Sequence, residues 1–148
     1  MTNNIDEFVN ELQEKIIEEA KKEYTDTVIE HWTNPKNLGK IENADAYGRV
    51  TGPCGDTLEI YLKIKRGKII AANFLTDGCG PSIACGSMTT ELVIGKSLEE
   101  AQKITQEVIL QHLGSLPEES RHCALLAANT LQEALKNHKK IKKNAKVD

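Results

Sequence analysis

Three cysteines stand where thiolates could grip a metal. Cys54 lies in Gly52-Pro53-Cys54-Gly55-Asp56, Cys79 lies in Gly78-Cys79-Gly80-Pro81-Ser82, and Cys123 directly follows His122. Thiolate, imidazole and carboxylate at close range are the ligand types that zinc and iron take. The three cysteines are far apart in the chain, so only folding could gather them. Gly55, Gly78 and Gly80 would let the backbone approach a bulky ligand closely. Asp56 is either a hard fourth ligand or a former of the turn. His122 is either a ligand or a partner that tunes the adjacent thiolate. Cys85, set between Ala84 and Gly86 in a helical pattern, reads as core. His31, His112 and His138 have no clustered partner and read as structural or solvated.

Spacing narrows the chemistry. There is no Cys-x-x-Cys pair, so the chain is neither a zinc finger nor a zinc ribbon. Nor are the cysteines clustered as in a ferredoxin. They come singly, from separate turns, and a site built that way can lie at the surface, open to exchange. Ordinary buried cysteines would explain one such residue. They explain poorly three that each adjoin Gly or His at an element end.

The elements that must position these residues are legible in the apolar periodicity. Ile5, Phe8, Val9, Leu12, Ile16 and Ala20 recur at helical spacing, and the pattern continues or restarts through Tyr24, Val28 and Ile29. Asn34-Pro35 ends it, because the residue before proline resists helix. Leu58, Ile60, Leu62 and Ile64 alternate with polar residues, which predicts a half-buried strand. Arg66-Gly67 predicts a tight turn into a returning strand over 68–76, and residues 47–53 supply a third. Cys54 then sits in a turn between strands, and Cys79 between a strand and a helix capped by Ser82. Ser97-Leu98-Glu99-Glu100 has the form of a capping box. A short helix over 105–113 follows, and a last one runs from Ser120 or Arg121 to about Lys140. Cys79 and Cys123 thus fall near helix N-termini, whose partial positive charge favours thiolate.

Composition sets the outer limits. The chain has 148 residues and suits one domain. Its net charge of -3 argues against a nucleic-acid partner. No stretch approaches the length of a membrane span, and the N-terminus shows no signal-peptide pattern. A cytoplasmic protein with reduced cysteines is expected.

Taken in order, the motifs resemble the iron-sulfur cluster assembly scaffolds of the IscU/NifU N-terminal type. Tyr24 to Gly39, with Asn34-Pro35-Lys36-Asn37, is similar to that family's opening helix and its Asn-Pro-Arg/Lys-Asn loop. Cys54-Gly55-Asp56, then Gly78-Cys79-Gly80 with Ile83-Ala84, then His122-Cys123 with Leu125 or Leu126 and Ala127, match its three ligand motifs. Gly95-Lys96-Ser97-Leu98-Glu99-Glu100-Ala101 matches the connector. The resemblance covers roughly residues 24–140.

The resemblance implies a scaffold and carrier rather than an enzyme. Sulfur from a cysteine desulfurase and iron from a donor would form a 2Fe-2S cluster, later passed to apo iron-sulfur proteins or carrier proteins. Carried onto this chain, Cys54, Cys79 and Cys123 are the cluster ligands, and Asp56 and His122 are candidates for the fourth ligand or tuners of lability. Cys123 is the persulfide acceptor. Zinc can hold the same site when no cluster is present. The alternative is a zinc-bound sulfurtransferase of the SufU type. The short interval between Cys79 and Cys123 favours the IscU type, since the SufU type carries an insertion there. A purely structural zinc domain ranks below both.

Three departures bear on partners. Residues 1–22 form an extra helical extension, for which packing on the domain is favoured over self-association as a homodimer. Leu116-Pro117-Glu118-Glu119-Ser120 stands where the family has Leu-Pro-Pro-Val-Lys, so the Hsp70-type chaperone that reads that segment is a doubtful partner. Cys85 is an additional thiol and an alternative ligand. The expected layout is an extension over 1–22, a scaffold domain over 23–140 and a basic tail over 141–148. The expected fold is α+β, a small three-stranded antiparallel sheet packed against several helices.

Overall fold

The computed structural model describes residues 4–147, with side chains as far as residue 138. Helix α1 (Asn4–Glu23) and helix α2 (Asp26–Thr33) precede three strands, β1 (Ala46–Thr51), β2 (Thr57–Lys65) and β3 (Lys68–Thr76). Helices α3 (Gly80–Val93), α4 (Leu98–Ala101), α5 (Gln106–Leu113) and α6 (Arg121–Val147) follow, with one 3-10 turn at Glu118–Ser120 before α6. The strands form one antiparallel sheet in the order β1-β2-β3. The expected α+β class and sheet are therefore the observed ones.

The alternation in β2 works as the pattern predicts. Leu58, Ile60 and Leu62 are buried, and Ile69, Ala72 and Phe74 of β3 share their face. Arg66 and Gly67 make the hairpin turn with φ of 54° and 75°, the left-handed geometry such a turn needs. Helices α3 and α6 cover the inner face. Helix α6 comes closest at β1, where a Cβ on Gly48 would lie 2.5 Å from both Ala134 N and Thr130 O.

Helix α3 has no polar face. Most of its residues are buried, from Gly80 at its start to Val93 at its end. Small residues allow this: a Cβ on Gly86 would lie 2.5 Å from the Phe74 ring. Its hydroxyls face protein rather than water. Ser87 Oγ accepts from Lys36 N at 2.8 Å and lies 2.7 Å from His31 Nδ1. Asn37 Nδ2 donates to Thr90 Oγ1 at 3.2 Å. The Asn34-Pro35-Lys36-Asn37 segment is thus a strap. It ties α2 to α3, and Asn37, at φ 61°, accepts from Phe74 N at 3.0 Å.

Capping residues set most boundaries. Thr25 caps α2 by accepting from Val28 N at 3.2 Å, and its hydroxyl also donates to Leu113 O. The chain therefore restarts between α1 and α2. Ser97 and Glu100 form the expected capping box.

Three expectations are corrected. Cys79, not Ser82, is the N-cap of α3. Pro81 explains this, because its fixed φ and missing N–H suit the first turn and let the helix begin earlier. Helix α6 continues to Val147 rather than ending near Lys140; the side chains of the predicted basic tail, 141–148, lie outside the described residues. The apolar stripe of α1 does not pack on the domain. Ile5, Phe8, Val9, Leu12 and Ile16 are 44–66% exposed, and Ala20 is the one residue of α1 among those described that is buried. An amphipathic pattern reports a face fit for burial, not what buries it. No helix among the described residues is long and apolar enough to cross a membrane.

Two tests follow from this packing. Gly48→Ala sets a methyl against backbone atoms that cannot rotate away, and should lower stability by about 2 kcal/mol or more in urea denaturation. His31 is buried, and burial holds its pKa below the ordinary 6.5, against the pull of Glu91. Ser87 Oγ lies 2.7 Å from Nδ1 and Nε2 lies 3.2 Å from Glu91 Oε2, and a neutral ring with its proton on Nε2 serves both contacts. A lowered folded pKa means that the unfolded chain takes the proton first. Stability from this group is complete above 6.5 and drains as pH falls toward the folded pKa. Denaturation at pH 7.5 and 5.5 should therefore show a steeper acid loss in the parent than in His31→Gln.

Candidate metal centre

The turn carrying Cys54 is closed by its own backbone. Gly52 N donates to Asp56 O at 2.8 Å, and Gly55 N donates to Gly52 O at 3.0 Å. Gly55 takes φ 90°, which a side chain would resist. This turn is bound to the one carrying Cys79. Thr57 N donates to Asp77 Oδ1 at 2.8 Å, and Thr76 Oγ1 donates to Thr57 O at 2.8 Å. Leu126 of α6 packs against Gly52 at 3.7 Å from the position a Cβ would take there.

The start of α6 is fixed to the same place by a separate route. The Trp32 ring lies so close to Gly80 that a Cβ there would be 2.0 Å from Cε2. Tyr24 meets Trp32 edge to face, with ring centroids 5.9 Å apart. Tyr24 Oη then lies 3.2 Å from Ser120 Oγ, just ahead of α6. Gln106 Nε2 adds a bond to Arg121 O at 3.0 Å.

Ser82 joins the two routes. Its Oγ lies 3.3 Å from Asp56 Oδ2 and 3.4 Å from Cys123 Sγ. Gly78 makes this possible, since a Cβ there would be 2.6 Å from Ser82 Oγ and 3.1 Å from Asp56 Oδ2. His122 Nε2 lies 3.7 Å from Cys123 Sγ. Cys54 and Cys79 are exposed, whereas Cys123 is 3% exposed. Cys123 thus has His122 and Ser82 beside it and Asp56 on the far side of Ser82, with Cys54 and Cys79 near enough for their charges to act on it. Among the described residues, no three His, Cys, Asp or Glu side chains stand close enough to grip a single ion.

Burial pushes the Cys123 thiol above its ordinary pKa, and the Ser82 bond pulls the other way. The Cys79, Asp56 and Cys54 charges add to the rise. The expected thiolate at the head of α6 is therefore overturned. Desolvation outweighs the helix end for a sulfur this deep. Cys85 is fully buried, and burial holds its thiol well up. It belongs to the hydrophobic core. His31 is bonded within the core, as above. His138 Nδ1 lies 3.2 Å from Asp45 O, remote from the cysteines.

Sequence reasoning missed Ser82 at this site and assigned it to a cap. A clue was present: a hydroxyl three residues past Cys79 falls on the side of α3 that Cys79 begins. Gly78 was read as room for a ligand, and it gives room to Ser82 and Asp56.

The candidate donors are three sulfurs, one carboxylate and one imidazole, types that iron and zinc take. Comparison with known proteins points the same way. A family model for the NifU-like N terminal domain matches residues 23–145. The iron-sulfur cluster assembly scaffold protein IscU 1 of Archaeoglobus fulgidus is 45% identical over 126 residues, which cover 84% of this chain and 81% of that protein. The iron-sulfur cluster assembly enzyme IscU of Drosophila melanogaster is 40% identical over 129 residues, covering 84% of this chain and 82% of its own. Among solved structures, a NifU-like N-terminal protein from Brucella abortus shares the fold with a TM-score of 0.62 at 21% identity, over 78% of this chain and 94% of that one. An iron-sulfur cluster assembly scaffold protein for the SUF system from Fervidobacterium islandicum gives 0.61 at 26% identity, over 76% of this chain and 96% of that one. With its motifs gathered at the head of α3 and a family match over residues 23–145, this chain belongs to the NifU-like N-terminal domain family.

Proposed function

We infer that this chain is a scaffold on which an iron-sulfur cluster is built and from which it is passed on. The observation that carries this reading is the meeting of Asp56, Ser82 and Cys123 beside Cys54 and Cys79. It is supported by 45% identity to a protein named as a cluster assembly scaffold. In this reading the cluster is cargo, of the 2Fe-2S type, held by Cys54, Cys79 and Cys123. Asp56 completes the set, with His122 beside Cys123 as the other candidate. A cysteine desulfurase supplies sulfur, and apo iron-sulfur proteins or carriers receive the product.

The geometry supports a site that fills and empties. Two thiols are exposed and one is buried, so the ligands close around iron only when it arrives. A carboxylate is a hard ligand and matches cluster iron less well than a fourth thiolate. Asp56 would therefore keep the cluster transferable. Cys123 is the sulfur acceptor in this reading: its thiolate attacks the outer sulfur of the desulfurase persulfide, the old S–S bond breaks, and the desulfurase cysteine leaves as its thiolate. Being covered, Cys123 reacts only after the donor uncovers it. The likeness to the SUF-system scaffold protein favours one second reading, a zinc-bound sulfur relay on the same residues.

Anaerobic reconstitution with iron, sulfide and a cysteine desulfurase separates the two. The scaffold reading expects iron-sulfur absorption in the visible range and slower cluster loss from Asp56→Ala than from the parent. One tight zinc per chain with no such absorption would establish the relay instead. Cys123 offers a check on the cluster-free chain. A raised pKa leaves little thiolate at neutral pH and more as pH rises through the folded value. Iodoacetamide should label Cys123 at least several-fold more slowly than Cys54 and Cys79 at pH 7, with a rate still climbing in the alkaline range. Equal labelling at pH 7 would refute the covered acceptor.

A further inference from the structure

Ser82 is 2% exposed and has one hydroxyl proton for two neighbours. Asp56 Oδ2 is 3.3 Å away and Cys123 Sγ is 3.4 Å away. The first belongs to the β1–β2 turn and the second to α6, so one α3 side chain touches candidate ligands from two other elements. The backbone is shaped for this contact. A Cβ on Gly78 would lie within 3.1 Å of both Asp56 Oδ2 and Ser82 Oγ.

We propose that Ser82 is a positioning residue of the cluster site, whose hydroxyl holds Asp56 in the cluster-free chain and turns to donate to Cys123 Sγ when iron is bound. The inference rests on the scaffold reading above. Donor and acceptor counting carries it. A carboxylate can only accept, so in the cluster-free chain it takes the Ser82 proton. Cys123 Sγ is placed to accept the same proton, so the hydroxyl can serve one of the two neighbours at a time. Loading changes the count. As an iron ligand Cys123 would be a thiolate, and Asp56 would give a lone pair to the metal. The sulfur can then only accept, and Ser82 is the hydroxyl in reach. Hydrogen bonds to ligand sulfur withdraw charge from iron and make its reduction easier. Ser82 would thereby set both where Asp56 waits and how electron-rich the loaded site becomes.

Ser82→Ala removes one oxygen and leaves α3 its size. Thr89→Val is the control: it removes another buried α3 hydroxyl, one that donates to Cys85 O at 2.7 Å and touches no candidate ligand. The midpoint potential of the reconstituted cluster, followed by visible absorption, should move to more negative values in Ser82→Ala and stay at the parent value in Thr89→Val. An unchanged potential in Ser82→Ala, or an equal shift in both variants, would overturn the proposal. The cluster-free protein gives a separate readout, the 13C resonance of the Asp56 carboxyl. It should shift in Ser82→Ala alone; no shift, or the same shift in both variants, would count against the contact. If the parent takes up no cluster, the scaffold reading falls, and the carboxyl resonance still decides whether Ser82 holds Asp56.

Discussion

A helix wrapped on every side can carry hydroxyls only if each finds a partner inside the protein. Helix α3 comes close to this, with Glu91 its one exposed residue, and the loops around it meet its hydroxyls. Ser87 is met by His31 and the Lys36 amide. Thr90 is met by Asn37, and Thr89 turns back on its own helix. Ser82 is met by Asp56 and Cys123. No buried side-chain nitrogen or oxygen among the described residues lacks a partner. Each bond satisfies a polar group and also fixes a loop. The strap after α2, the turn after β1 and the head of α6 are all located by what α3 requires. Its small residues have the complementary effect, letting Phe74 and Trp32 close in where larger side chains would hold them off.

The cysteines divide accordingly. Cys54 and Cys79 are exposed and lie on turns held by backbone bonds and by the Thr76 and Asp77 side chains. Cys123 lies inward, against the hydroxyl of the central helix, and its chemistry is governed by desolvation. A site with two open thiols and one covered thiol has an inherent order. The open pair is available first, and the covered sulfur takes part after something has moved. That order suits a protein which accepts, assembles and releases better than one which holds a metal for good.

Much of this was legible in the chain. Period-two alternation gave β2 its register, because a one-residue slip would turn Leu58, Ile60 and Leu62 to solvent. Ser97 with Glu100 marked α4 through local bonds that need no tertiary context. The motif set around Cys54, Cys79 and Cys123 carried the family. Other features were hidden for physical reasons. Helix α3 has no clear apolar stripe to detect, since most of its residues are buried, so its start was misplaced by three residues' worth of first turn. The role of Ser82 depends on side chains from two distant elements. The fate of the α1 stripe depends on what lies opposite it, and amphipathicity is silent on that. At Cys123 the helix-end argument was sound in direction, yet weaker than burial.

The spread of the candidate ligands along the chain has a kinetic consequence. Cys54, Asp56, Cys79 and Cys123 come together only through contacts of large sequence separation, and such contacts carry a loop-closure cost that makes them late events in folding. The contact of Ser82 with the head of α6 spans 41 residues, well beyond the pairings of the β2–β3 hairpin. A nascent or partly unfolded chain therefore offers isolated thiols and no pocket. Completion of the fold is itself the licence for assembly, and an unfinished molecule would gather little iron to spill.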